Sequence, residues 1–144
     1  MQFSFFDMAL RAQKSYNRLM EPVCRKWNLT HNELDVLLFL ANNPQQDRAV
    51  DIVRGRGMSK GHVSMSLGSL EERGLVTRRE DAADRRTVHL ALTQAAGEIV
   101  EDGRQVQRQF VAWLNRGVTP EESETVWAVT QKMAENIRQL EREL

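Results

Sequence analysis

One cysteine, Cys24, stands alone among 144 residues, so no disulfide can form within the chain, and the composition suits a reducing compartment. The cytoplasm is the expected location. Net charge is also lacking, because 20 Lys and Arg offset 20 Asp and Glu. No apolar run approaches the ~18 residues of a membrane span. The longest, Val36 to Ala41, reads as core, and no membrane partner is expected. Phe3, Phe5 and Phe6 follow no basic region, so the N-terminus does not resemble a signal peptide.

Catalytic and metal signatures are missing too. Gly55, Gly57 and Gly61 crowd one stretch, yet there is no G-x-x-x-x-G-K-[ST], no G-x-G-x-x-G and no strand leading into them. They read as turn glycines. The histidines, His31, His62 and His89, are scattered singly without a His-x-x-x-His pair or a CxxC, which argues against a zinc site. Neither an enzyme, a metal nor a cofactor is expected.

What is present is an uneven distribution of charge. From Arg48 to Arg86 nine basic residues face six acidic ones, whereas from Val100 to the end six basic residues face eight acidic ones. The middle is electropositive. Salt screens charge beyond about 8 Å, so local excess rather than the overall sum decides attraction to phosphate. With 41% hydrophobic and 28% charged residues, the chain suits one domain, or one module with an oligomerisation element.

Periodicity predicts six helices and one hairpin. Phe5, Ala9, Ala12, Tyr16, Leu19, Val23 and Trp27 recur at steps of three and four, giving a long first helix with an apolar face and a kink expected at Pro22. Thr30 and Glu33 form a capping box before Leu34, Leu37, Leu38 and Ala41, and Asn42-Asn43-Pro44 ends that helix. A third helix covers about Ala49 to Arg56 before Gly57, and a fourth starts at the N-cap Ser59. Gly74 supplies the positive φ that commonly ends such a helix. Two strands follow, Leu75 to Arg79 and Thr87 to Leu92, the second placing Val88, Leu90 and Leu92 on one face. Thr93 is expected to cap a fifth helix reaching about Asn115, with Ile99, Val106, Phe110 and Trp113 among its apolar positions. Thr119-Pro120-Glu121-Glu122 opens a sixth by a capping box with proline at the first helical position.

That last helix carries a seam, Val126, Met133 and Leu140 interleaved with Thr130, Ile137 and Leu144, of the kind that packs helices together. Two long helices flank a middle domain of about 60 residues, exposing more apolar stripe than so small a core can cover. A homodimer is expected, with packing on the fifth helix the alternative. The division is therefore residues 1–29 as an N-terminal dimerisation helix, 30–93 as the middle domain and 94–144 as C-terminal dimerisation helices. The fold class is mainly α with a small β-hairpin wing.

The third and fourth helices, joined tightly at Gly57-Met58, form a helix-turn-helix whose second member would enter a major groove. Its outward face would present Ser59, Lys60, Gly61, His62, Ser64 and Met65, while Val63, Leu67 and Leu70 face the core. Ser66, Arg54 and Arg56 join the candidate DNA contacts, and Arg78 adds one from the first strand. Beyond it, Asp81-Ala82-Ala83-Asp84-Arg85-Arg86 concentrates charge at a hairpin tip. An arginine there could enter a minor groove, its guanidinium oriented by acidic neighbours. A merely solvated turn is the competing reading, weakened by the helix-turn-helix just before it.

Asp51 to Thr93 resembles the MarR/SlyA family of bacterial winged-helix regulators. The similarity rests on Ser59-Lys60, Val63-Ser64, Leu70-Glu71, Gly74-Leu75-Val76, Arg78, the Asp81 to Arg86 wing and Leu90 to Thr93. It implies a homodimer joined through its terminal helices that binds a pseudo-palindromic double-stranded operator and often represses. It also implies roles in the wing, with Arg86 entering the minor groove and Asp84 bracing it. The chain departs from the family where Met65 replaces a common arginine, Gly61 or His62 a hydroxyl residue, Arg56 a leucine and Ala82 a proline; the glycine after Leu92-Thr93 also comes one place late, as Gly97. The operator sequence therefore does not carry over.

Regulation adds two expectations. Members of the family often bind small aromatic acids between the dimer helices and the winged domain, so a small aromatic or anionic effector could meet Tyr16, Met20, Trp27 and Trp113 here. The same residues could equally be core. Cys24 beside Arg25 and Lys26 could be an oxidant-sensing thiolate, against the commoner fate of a buried small hydrophobe. A winged-helix protein-interaction module without sequence-specific DNA binding is the remaining alternative.

Overall fold

Helix α2 (His31–Asn42) is the centre around which the rest is built. Its capping box forms as expected: Thr30 Oγ1 accepts from the Glu33 amide and Glu33 Oε1 from the Thr30 amide, both at 3.1 Å. Apolar residues then occupy nearly every side of the helix, and Leu34, Val36, Leu37, Leu38, Phe39 and Leu40 are all buried. A helix apolar all round must lie inside. The computed structural model describes residues 4–144, so Phe3 lies outside the described residues. The chain forms two compact units, one running to Phe110 and the other Val111–Leu144.

In the first unit, α1 (Phe5–Trp27), α3 (Ala49–Arg56), α4 (Lys60–Glu72) and most of α5 (Gly97–Leu114) join α2. Helix α1 runs unbroken through Pro22 and ends at Asn28, whose φ of 51° is left-handed. Its buried face is Met20, Val23 and Cys24, with Tyr16 and Trp27 packed beside them. Leu19 and Phe5, expected on that face, are exposed instead. Helix α4 stops at Gly74, φ 69°. There the Leu75 amide bonds the Leu70 carbonyl and the Gly74 amide bonds that of Glu71, each at 2.9 Å, which is how a left-handed glycine closes a helix.

Strands β1 (Val76–Glu80) and β2 (Val88–Leu92) pair antiparallel, Val76 opposite Leu92 and Glu80 opposite Val88. Their inward residues, Val76 and Leu90, close the core with Ala96, Ile99 and Val100 of the segment that follows. Thr93 differs from expectation. It precedes a 3₁₀ turn, Gln94–Ala96, without capping it, because its hydroxyl donates to the Gly74 carbonyl at 2.6 Å and ties the end of the hairpin to its start.

In the second unit α6 (Pro120–Glu143) begins with the expected capping box, Thr119 with Glu122, and proline in the first turn. None of its residues is buried, and the seam residues Val126, Met133, Ile137 and Leu140 are exposed. Among the described residues no helix is long and apolar enough to cross a membrane.

Candidate nucleic-acid interface

Helices α3 and α4 meet at Gly57, whose φ of 64° makes the sharp turn. Ser59 caps α4, its Oγ accepting from the His62 amide at 3.1 Å. The hydroxyl thereby orients the helix, a role distinct from a free phosphate contact. Val63, Leu67 and Leu70 are buried, while Lys60, His62, Ser64 and Met65 point outward. Ser66 does not join them. It is 7% exposed, since its helical angle falls next to Val63 and Leu70 rather than with Met65, so this predicted contact belongs to the core side.

The basic residues of this region divide into held and free groups. Arg56 pairs with Asp35 at 3.1 Å and Arg78 with Glu71. Arg73 donates to the Trp27 and Asn28 carbonyls at 2.7 and 2.8 Å, securing the end of α1. Arg54, Lys60, Arg79, Arg85 and Arg86 are exposed and join no ion pair among the described residues. These five free cations come from the helix-turn-helix and the hairpin.

The wing tip is folded by its own carboxylates. Asp81 Oδ1 accepts from the amides of Ala83 and Asp84 at 2.8 and 3.2 Å. Asp84 Oδ1 accepts from the Arg86 amide at 3.0 Å. Asp84 therefore holds the backbone of Arg86. The Asp81 amide and the Thr87 carbonyl close the loop at 2.9 Å.

A clamp that sequence reading missed fixes this wing to the body. His89 on β2 turns Nε2 to Asp81 Oδ2 at 2.8 Å and Nδ1 to Asp47 Oδ1 at 2.9 Å. The Leu90 amide also donates to the Asp47 carbonyl at 2.7 Å. Asp47 foremost, then Asp81, hold the His89 pKa above its ordinary value against burial and Arg79. The His89 hydrogen bond, with the Ala83 and Asp84 amides, takes Asp81 down to about 2.

The two shifts set opposite limits. Stabilisation through the raised His89 is complete below its unfolded pKa, roughly 6.5, and is lost as pH rises through the higher folded value. That through Asp81 is complete above its unfolded pKa and is lost as pH falls through about 2. We expect the thermal stability of the parent relative to His89→Ala to be greatest near pH 6 and to shrink as pH rises to 9. A difference that does not change with pH would contradict the clamp.

Of the residues expected to meet an effector, Met20, Tyr16 and Trp27 lie on or beside the buried face of α1. Met20 is core, and Trp27 donates its indole N–H to Asp102 at 2.8 Å, where Lys26 also bonds at 2.7 Å. Trp113 belongs to the second unit and stacks under the Arg116 guanidinium, 3.4 Å from the ring centroid. Tyr16 lines a cavity of about 260 Å³ with Asp35, Asn42, Gln46, Arg56 and Gln107. Gln107 donates to the Tyr16 hydroxyl at 3.1 Å, and burial pushes that phenol up.

Cys24 is 5% exposed. Burial raises its thiol, as do Glu21 and Asp35. The cations beside it in sequence turn away, Arg25 to Glu21 and Lys26 to Asp102. A depressed pKa, which an oxidant-sensing thiolate needs, is the opposite of what this site produces.

A helix-turn-helix followed by a two-stranded wing defines a winged helix-turn-helix protein. Residues 27–87 match the sequence model of the MarR family. Solved structures extend the likeness of fold to nearly the whole chain. MepR of S. aureus, solved in complex with DNA, is 20% identical with a TM-score of 0.74, covering 94% of this chain and 99% of that one. A MarR-family regulator of Silicibacter pomeroyi is 22% identical, TM-score 0.77, over 90% and 87%. BpsR of Bordetella bronchiseptica, whose DNA binding is regulated by 6-hydroxynicotinic acid, is 24% identical, TM-score 0.66, over 89% and 96%.

Proposed function

We propose that this protein is a homodimeric transcriptional regulator, a repressor of the genes it controls, that acts in the cytoplasm on a pseudo-palindromic operator. The carrying observation is the pairing of an outward α4 face, Lys60, His62, Ser64 and Met65, with a wing whose Arg85 and Arg86 are exposed and in no ion pair among the described residues. Such a helix suits the major groove, and a free guanidinium on a projecting hairpin suits the minor groove. Arg54 and Lys60 are available for phosphates. This is a binder's chemistry rather than a catalyst's.

Assembly is proposed through the terminal helices, residues 1–29 and 94–144. Phe5, Phe6, Met8 and Leu10 on α1, and Val126, Trp127, Met133, Ile137 and Leu140 on α6, are large apolar side chains left in solvent. A second copy of the chain is the simplest cover for such stripes. The cavity at Tyr16 supports release by a small effector, which would act by changing the spacing of the two recognition helices.

Arg86→Ala tests the reading. Operator affinity is expected to fall by about 1 to 3 kcal/mol while fold and dimer survive. Unchanged affinity, measured by fluorescence anisotropy, would remove the wing from the mechanism.

A further inference from the structure

The outward face of α4 has one long apolar side chain, and its flanks are bare. Met65 is 71% exposed. At i−4 and i+3 on the same helical face stand Gly61 and Gly68, and a Cβ built on either would meet nothing within 4 Å. Neither glycine has a positive φ. Packing inside the protein therefore does not require them, and each costs a helix roughly 0.5–1 kcal/mol relative to alanine. What they do is leave the backbone on both sides of Met65 open to close approach from outside.

We infer that Met65, set between Gly61 and Gly68, is a specificity-determining residue that reads the 5-methyl group of thymine in the major groove. This rests on the DNA-binding reading above. A thioether has no donor and only a weak acceptor, so it cannot make the bidentate bonds that select guanine or adenine. The thymine methyl is the one apolar group on a base edge in that groove, and apolar contact is how it is read. The flexible, polarisable Met side chain fills such an irregular contact well. Gly61 and Gly68 let the helix sit deep enough for a side chain of this length to reach it. Lys60, His62 and Ser64 supply polar contacts beside it.

The experiment first selects bound duplexes from a random pool with the parent protein. Each thymine of the selected half-site is then replaced by deoxyuridine, which removes only the methyl, and affinities are measured for the parent and Met65→Ala. Met65 is exposed, so the variant retains the fold, as circular dichroism would verify. The expected result is at least one thymine per half-site at which uracil weakens the parent about threefold to fivefold, the effect of burying one methyl, while the variant is indifferent to the exchange. Equal sensitivity of both proteins, no sensitive thymine, or half-sites without thymine would overturn the assignment and leave DNA binding intact. A parent that enriches no duplex would overturn both.

Discussion

Met133→Glu combined with Ile137→Glu is expected to yield a monomer whose affinity for a two-half-site operator is lower by about two to four orders of magnitude, the range by which linking two binding modules strengthens binding. The two side chains are 51% and 56% exposed, so their replacement removes nothing from the core of either unit. Carboxylates on a seam buried against a second copy would instead have to be desolvated without partners, a cost no apolar interface sustains. Sedimentation would report the change of mass, and anisotropy on whole and half operators would separate lost bivalency from a damaged recognition surface. Half-site affinity should hold. A variant that sediments as a dimer would place the interface elsewhere.

Leu37→Ala should have the largest effect on stability, about 2 to 5 kcal/mol, because it deletes buried methyl groups and leaves a cavity. Leu37 has 0% exposure, and its helix packs against α1, α3, α4 and β2. Four neighbours held by one helix cannot all close in on the gap. Stability of that size is a large fraction of what a small domain possesses, so the denaturant midpoint should drop sharply with little change in slope. A loss below about 1 kcal/mol would mean that α2 is not the hub described above.

The contrast between these two substitutions follows what was legible in the chain. Local rules located the helices well: Thr30 with Glu33 and Thr119 with Glu122 cap as their spacing says, and Gly57 and Gly74 turn where left-handed backbone is needed. Alternation also put Val88, Leu90 and Leu92 on one face of β2, of which Leu90 is buried. Side-chain partners far apart in sequence were another matter. His89 and Asp47 are 42 positions apart, and nothing local marks them as neighbours. For the same reason Arg56, a candidate DNA contact, is held by Asp35.

The binding site shows the same limit. The Asp81 to Arg86 segment is legible as a charged tip, but its sequence does not say which carboxylate folds the loop. Asp81 is the one that bonds two amides and His89, because it stands where β1 ends and faces the histidine across the hairpin. Ser66 was misplaced by small polar character alone, although its angle on the helix lies with the buried set.

Salt dependence of duplex binding tests the central claim most directly, since it reads phosphate contact without needing the natural operator. With a duplex selected from a random pool, the logarithm of affinity should fall linearly with the logarithm of salt, at a slope of about −0.9 for each phosphate neutralised. If a dimer makes about 6 to 10 such contacts, affinity should drop by roughly 10³ to 10⁵ between 50 and 200 mM salt. Arg54→Ala should flatten the slope by about one for each phosphate contact that is lost. No enriched duplex, or an affinity indifferent to salt, would contradict the account.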